Sequence, residues 1–437
     1  MHPPIHCVRM DYAPDGPPTD VASLTSGGLS KRPGRLYLRP MSSRDLATPL
    51  PIGEARPRLV SRALLLLFIA AFGAMTSFYL LLSVVPLYAT SVGAGGVGAG
   101  LVTGALMLAT VAAELGAPAL LSRLGYRLVL GAGLVLLGAP SLALAGAAGL
   151  PAILAVSLVR GVGLAIVVVA GSALIAVLVP RERRAEGLGL FGVVVGVPAI
   201  VALPLGVWLA ERVGFGPVFV AGAVAALAGL VALPALPGRR PREDDAIGVL
   251  AGLRSAAQMR PALVFLVTAV GAGVVVTFLP LATRGGRLAA LALLAHSAAT
   301  TGARWWAGRH AGRHGHAVLL VRGVVAAAAG MLALVLIESA AAVVAGTLLL
   351  GAGFGLAQNA SLALMFDRVT TSGYDMASAV WNLAYDAGVG IGAVGFGMLA
   401  AGTGYQAAFG LTAALMLAAL IPAWRDRGWL EPAGDDG

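Results

Sequence analysis

Five ionisable side chains lie inside long apolar segments of this 437-residue sequence: Glu114, Arg160, Arg304, Arg322 and Asp386. Such a group costs about 2.5–3.5 kcal/mol at the centre of a membrane on insertion scales, so it persists where it faces water, a partner or a solute. Loss of water disfavours the charged form of a carboxylate, whereas a nearby guanidinium favours it. Buried carboxylates of this kind suit reversible proton binding, and the five residues predict solute or ion chemistry inside a membrane.

Asp386 is the candidate proton-binding residue. It follows Asp375 by eleven residues, which is a depth of about 17 Å at about 1.5 Å per helical residue. Together with Ser378, Asn382 and Tyr385 it forms a polar stripe at helical spacing, so this segment is predicted to line a wet cavity. The alternative is an ion pair that locks the segment to a neighbouring helix.

Arg160 is the second candidate for proton coupling. Its guanidinium cannot lose its charge, so it would act by attracting an anion or by favouring the ionised form of a carboxylate such as Asp386. Arg322 lies near a segment end, where its side chain can reach the headgroups, and it is assigned no role.

Amides and tyrosines supply the candidate substrate cavity. Amide side chains offer a solute both donors and acceptors, and tyrosines add apolar surface. The alternative is hydrogen bonding between helices, which uses the same residue types. The candidates are Asn359, Asn382, Tyr385 and Tyr79.

The elements that must position these residues are membrane helices. The chain is 58% hydrophobic and 11% charged, with a mean hydropathy of +0.89, so it lacks the polar surface of a soluble globule. Because backbone polar groups in lipid must be satisfied within their own segment, the long apolar runs predict helices. Twelve runs lie near 63–89, 98–121, 127–147, 151–179, 187–211, 215–236, 262–282, 288–307, 317–337, 340–365, 375–401 and 404–423.

The distribution of arginine predicts the orientation. The net charge is +10, but with the N-terminus inside, the short inner loops contain thirteen arginines, from Arg123 to Arg368, whereas the short outer loops contain only Arg212, Arg284 and Arg287. The positive-inside rule then places both termini in the cytoplasm, and the expected location is the cytoplasmic (inner) membrane. The basic charge is explained by topology, and nucleic-acid binding is not expected.

The two halves of the sequence are related. Residues 122–219 align with residues 312–409 at a constant offset of 190, with matching glycines and loop arginines. Duplicated sets of apolar segments are typical of transporters with a site between two halves. Glu114 and Arg304 occupy matching positions with opposite charges.

Residues 118–127, Pro-Ala-Leu-Leu-Ser-Arg-Leu-Gly-Tyr-Arg, resemble the loop signature between helices 2 and 3 of the major facilitator superfamily, and residues 308–316 are its counterpart in the second half. The resemblance covers roughly residues 60–424. It implies an all-α membrane protein with twelve transmembrane helices in two pseudo-symmetric six-helix bundles. It also implies that the loop residues hold the bundles together on the cytoplasmic side: Arg123, Gly125, Arg313 and Gly315. The resemblance further places the helices of Glu114 and Arg304 where the bundles meet, so these two residues are predicted to form bonds between the bundles that open during transport. Static packing is the alternative.

Physical chemistry supports that role for the loop residues, because a guanidinium after a helix end can bond to exposed carbonyls. Glycine at Gly125 and Gly315 permits a tight turn with positive φ. The alternative is that the arginines only set orientation.

The predicted organisation is a disordered cytoplasmic tail over 1–59, bundles over 60–236 and 261–424, a linker over 237–260 and a tail over 425–437. We expect a monomer whose partners are a small-molecule substrate, protons and bilayer lipid. No enzyme motif, cofactor site or metal site is expected, since the Gly-x-Gly-x-x-Gly run at 390–395 lies inside an apolar helix without a preceding strand.

The predicted function is proton-coupled export of a small, partly apolar compound by alternating access. The direction follows from resemblance to bacterial efflux members and from an aromatic, sparsely charged interior. One alternative is a proton-coupled uptake symporter for a metabolite. Another is a sensor or scaffold that uses the same fold without transport.

Overall fold

The computed structural model describes residues 61–147, 149–179, 183–236, 238, 249–370 and 373–421. The tails predicted over 1–59 and 425–437, and residues 237 and 239–248 of the linker predicted over 237–260, lie outside these residues. Within the described residues the secondary structure is helical. The α-helices are α1 Arg62–Leu82, α2 Val84–Ser91, α3 Gly95–Leu124, α4 Tyr126–Gly138, α5 Pro140–Ala143, α6 Leu150–Leu178, α7 Arg184–Val213, α8 Phe215–Ala228, α9 Val249–Arg254, α10 Ala256–Ala282, α11 Gly286–His314, α12 His316–Ala333, α13 Ala340–Phe366 and α14 Tyr374–Ala418.

The described helices provide 10 candidate membrane spans by length and composition. The last of these, Met376–Ala418, is broken at Gly404, where φ is 80° and ψ is 164°. Helix α11 has 29 residues, enough to cross a bilayer, but it is more polar than the others. Counting α11 as a span and dividing the last helix at Gly404 would give twelve, so the count of twelve stays a prediction. The prediction of an all-α, multi-pass membrane protein is confirmed.

Glycines with positive φ mark the tight connections between successive helices. Gly125 (φ 82°) separates α3 from α4, and Gly315 (φ 73°) separates α11 from α12, as predicted for these two turns. Gly214 (φ 83°) and Gly404 (φ 80°) form a second such pair. Both pairs obey the offset of 190, so the duplicated sequence places the same turns in both halves.

Helices within each half pack through matching glycines. A side chain at Gly161 would collide with the backbone of α3, and one at Gly163 with that of α4. In the second half, a side chain at Gly351 would collide with α11 and one at Gly353 with α12. Close approach of this kind lets backbones pack without side chains between them. The matching glycines therefore give α6 and α13 equivalent positions in the two bundles.

The two bundles meet along α3 with α14 and along α7 with α11. On the first of these contacts, Gly100 lies against the backbone of Ala393, and Gly104 lies against the side chain of Val394. Three hydrogen bonds also join the two bundles toward the predicted outer end. They run from Ser83 Oγ to Val276 O (2.5 Å), between Thr103 Oγ1 and Thr277 Oγ1 (3.0 Å), and from Gly286 N to Glu211 Oε1 (3.0 Å). The bundles are therefore joined at this end.

The backbone at Gly404 generates a prediction about stability. Its φ of 80° and ψ of 164° lie in a region that is nearly exclusive to glycine, and a Cβ there would meet open space. Gly404→Ala should therefore destabilise the protein by about 1–3 kcal/mol through backbone strain alone, measured as thermal unfolding in detergent. Gly402 is the matched control, because it also has open space around it but no positive φ. Equal unfolding temperatures for the two alanine variants would contradict the strain argument.

Candidate functional site

Five of the predicted site residues form one polar cluster between the bundles, called the central cluster below. Helices α1 and α3 of the first bundle contribute Tyr79 and Glu114, and helices α11 and α14 of the second contribute Arg304, Tyr385 and Asp386. Electrostatic contacts and side-chain hydrogen bonds link the five residues. Residues predicted separately for proton coupling, substrate binding and gating thus lie together.

The carboxyl groups of Glu114 and Asp386 are hydrogen-bonding partners across the bundle interface. Asp386 is only 6% exposed. Oε2 of Glu114 is buried, and no backbone or side-chain donor of the described residues forms a hydrogen bond with it. Because an ionised carboxylate can only accept hydrogen bonds, a bond between two carboxyl groups requires a proton on one of them. The pair therefore consists of two carboxyl groups, one from each bundle, and a hydrogen bond between them requires a shared proton.

The tyrosines and Arg304 surround this pair. The side chains of Tyr79 and Tyr385 interact with each other, again across the bundle interface. Arg304 interacts electrostatically with both tyrosines, and so does Asp386. The tyrosine pair is therefore within the electrostatic reach of both a guanidinium and a carboxyl group. Glu114 and Arg304 contact different partners rather than each other, and the opening of bonds between the bundles at these two residues stays a prediction.

Aromatic rings form a wall behind Tyr385. Phe265 stacks on Trp381 at a centroid distance of 4.6 Å and lies 6.2 Å from Tyr385, and Phe354 lies 6.1 Å from Tyr385. Trp381 is held by a hydrogen bond from its Nε1 to Ser361 Oγ at 3.0 Å. Phe265 and Phe354 were not predicted as site residues. Both are aromatic residues within apolar segments, which now form α10 and α13, and this was the only sign of them in the sequence. The sequence does not show which face of each helix they occupy.

Arg160 occupies a different place from the one predicted. Its side chain is 1% exposed, and it donates from Nε to Leu137 O (3.2 Å) and from Nη2 to Ser77 O (3.4 Å). Both acceptors belong to the first bundle. The groups that interact with Asp386 are Glu114 and the two tyrosines, so the structure does not bring Arg160 to the proposed proton site. That part of the prediction is corrected: Arg160 joins α6 to α4 and α1.

The remaining predicted residues lie outside the cluster. Asn382 is half-buried one turn before Asp386 on α14. The amide nitrogen of Asn359 lies against Gly308, on the α13 face that packs on α11. Among the loop residues, Arg123 is exposed in the last turn of α3, and the backbone of Arg313 lies in the last turn of α11. The described residues contain no group of three or more His, Cys, Asp or Glu side chains that could hold a metal ion.

Comparison with known proteins adds a family and a fold. The family model of the Major Facilitator Superfamily matches residues 67–392. The nucleoside transporter NupG has 12% sequence identity and a TM-score of 0.64, with 85% of this chain and 100% of NupG covered. No curated protein matches the sequence.

Two other transporter structures are similar. The first is a bacterial homolog to the human lysosomal transporter Spinster, inward-facing and occupied, with 13% identity and a TM-score of 0.69 over 84% of this chain and 96% of that one. The second is a POT family transporter in complex with a thioalcohol-conjugated peptide, with 13% identity and a TM-score of 0.69 over 85% and 97%. At these identities the likeness concerns the fold alone.

The environment of Arg160 generates a prediction. Hydrogen bonds from a charged group contribute about 1.5–3 kcal/mol each, whereas burial of an ion costs several kcal/mol, and among the described residues no carboxylate offsets the charge. Arg160→Met should therefore leave thermal stability in detergent unchanged or raise it by up to a few kcal/mol. Arg322→Met, on the exposed face of α12, is the control and should have little effect. A loss of more than about 1 kcal/mol at Arg160 would show that the carbonyl bonds outweigh desolvation.

Proposed function

Because the chain belongs to the major facilitator superfamily and is therefore a multi-pass membrane transporter rather than an enzyme, we propose that it exports a small, partly apolar compound in exchange for protons. The observation behind this proposal is the pair formed by Glu114 and Asp386. A proton-binding unit that contains one carboxyl group from each bundle can link proton occupancy directly to the relative position of the bundles.

The charge of the pair supplies the coupling. With one proton, the two carboxyl groups share a hydrogen bond and a charge of −1, which Arg304 in the same cluster can balance. Loss of that proton leaves two carboxylates that repel each other in a low-dielectric environment. This repulsion lowers the free energy of the arrangement in which α3 and α14 are apart, relative to the one in which they are in contact. Alternating access requires such a difference in free energy between two arrangements of the bundles.

The surroundings of the pair favour a partly apolar substrate. Tyr79, Tyr385 and the rings of Phe265, Phe354 and Trp381 offer flat apolar surface with two hydroxyl groups. Sites of this kind hold a ligand mainly through apolar contacts, and their few polar groups fix its orientation. We assign Asn382 and Asn359 as further contacts to the substrate, since both amides lie on helices that contribute to this region.

Proton coupling can be tested in proteoliposomes with a panel of small aromatic fluorescent compounds. An acidic lumen drives accumulation by an antiporter in either orientation, because protons leave as the compound enters, whereas an acidic exterior drives accumulation by a symporter. We expect accumulation with the acidic lumen. Asp386→Asn should reduce it at least tenfold while compound exchange without a gradient continues, because the site remains but the proton is not released.

Two further variants complete that test. Glu114→Gln should show the same loss as Asp386→Asn, because both carboxyl groups belong to one proton-binding unit. Glu338→Gln removes an exposed carboxyl group that is paired with Arg284, and it should transport normally. Accumulation by Asp386→Asn at the native rate would remove the proton assignment. Accumulation only with the acidic exterior would establish symport, and neither exchange nor accumulation for the whole panel would favour a sensor.

We also propose that the protein is a monomer in the inner membrane with both termini in the cytoplasm, as the arginine distribution indicates. In this orientation Ser91, at the end of α2, is outside, and Ser122, near the end of α3, is inside. In a Cys7→Ser background, a membrane-impermeant maleimide should label Ser91→Cys in intact cells and should label Ser122→Cys only after permeabilisation. The reverse pattern would invert the topology.

A further inference from the structure

The arginines that depart from the positive-inside pattern converge on one pocket. Arg212, Arg284 and Arg287 are the arginines of the predicted short outer loops, and all three line a single surface pocket with Glu211. Arg212 lies in the last turn of α7, whereas Arg284 and Arg287 lie just before and at the start of α11, about seventy residues further along the sequence. Chance exceptions to an orientation rule would not be expected to meet in space.

An apolar groove runs from this pocket along the membrane-facing side of the seam between α7 and α11. Its volume is about 410 Å³, and Arg287 lines both the groove and the charged pocket. Much of the lining is apolar side chain exposed on the protein surface, such as Val201 (57%), Leu291 (54%), Leu294 (40%) and Trp208 (39%). An apolar groove with a charged mouth at a membrane interface matches the shape of an amphiphile.

The mouth of the groove has an excess of positive charge. Arg284 is paired with Glu338 at 2.7 Å, and Glu211 accepts a hydrogen bond from Gly286 N at 3.0 Å. Two cations remain near the groove. Arg212 lies 5.5 Å from the ring of Trp208, and Arg287 is exposed without an ion pair to any described residue. Even with Glu211 counted, the mouth retains a positive charge, so its complement is an anion.

We infer that this groove binds an anionic phospholipid of the surrounding bilayer. Arg287 and Arg212 contact its phosphate, and an acyl chain lies along the groove. The dimensions agree, because Leu294 follows Arg287 by seven residues, which places the apolar part of the groove about 10 Å below the headgroup level at about 1.5 Å per residue. Attraction of anionic lipid contributes about 1 kcal/mol per arginine near the membrane surface. The site does not depend on the proposed proton coupling.

The position of the lipid gives it a structural effect. One wall of the groove is α7, from the first bundle, and the other is α11, from the second. Next to it, Glu211 and Gly286 form a hydrogen bond between the same two helices. A lipid that contacts both walls stabilises the arrangement in which the outer ends of the bundles are joined, so the lipid composition of the membrane biases the alternating-access equilibrium.

Fluorescence quenching can test this site, because Trp208 lies in the groove. The full chain is reconstituted in phosphatidylcholine bilayers that contain the same fraction of brominated phosphatidylglycerol or brominated phosphatidylcholine. Bromine on the acyl chains quenches nearby tryptophans, and the difference between the native chain and Trp208→Phe isolates the groove. We expect phosphatidylglycerol to quench Trp208 more strongly. Arg287→Gln should lower the preference for phosphatidylglycerol about fivefold, and Arg287→Lys should retain most of it.

Controls make each outcome decisive. Arg322→Gln removes an exposed arginine from α12, and it should leave quenching of Trp208 unchanged. Quenching by brominated phosphatidylcholine shows that the groove still faces lipid in each variant. If Arg287→Gln does not fold, Arg212→Gln removes the second phosphate contact and should also weaken the preference. Equal quenching by the two lipids in the native chain, or an unchanged preference in the folded glutamine variants, would overturn the proposal.

Discussion

The contact between the Glu114 and Asp386 carboxyl groups is the interaction on which the arrangement of the two bundles depends. Carboxyl groups in a membrane interior must find a partner, because water is not available to solvate them. Here each carboxyl group has its partner on the opposite bundle. Small residues make this contact feasible, since Gly100 and Gly104 let α3 approach α14 closely, about three to four turns from the pair. Burial of the acids and closure of the bundle interface are therefore linked.

Duplication explains the scaffold, and departures from duplication explain the site. Matching glycines at 161 and 351 and at 125 and 315 make equivalent contacts or turns in the two halves. The functional groups follow no such symmetry: Glu114 corresponds to Arg304, and Asp386 corresponds to Gly196. A symmetric cluster would place like charges opposite each other. Opposite charges at matching positions avoid that repulsion and still let both bundles contribute to one site.

Fold and site differ in how far the sequence predicts them. Apolar runs and glycine turns depend on local sequence, so the helices and the positive φ values at Gly125 and Gly315 were predictable. The depth of Asp386 followed from helical rise. Its partner did not, because the rotation of α3 against α14 decides which side chains meet, and that rotation results from packing over the whole interface. The same reason applies to Arg160, whose acceptors Leu137 O and Ser77 O are backbone groups without any sequence signature.

The proposed proton coupling requires that the charge of the pair be comparable in energy with the other interactions between the bundles. The cross-bundle hydrogen bonds from Ser83, between Thr103 and Thr277, and from Gly286 contribute about 0.5–1.5 kcal/mol each, or more where a carboxylate accepts. Their total is a few kcal/mol. Two unit charges about 4 Å apart repel by about 4 kcal/mol at an effective dielectric constant of about 20. Release of one proton from the pair thus changes the free energy of the interface by an amount similar to all of these bonds together. Stronger or more numerous bonds would hold the outer end closed in either protonation state, so a limited set of mostly neutral hydrogen bonds is what a proton-controlled interface requires.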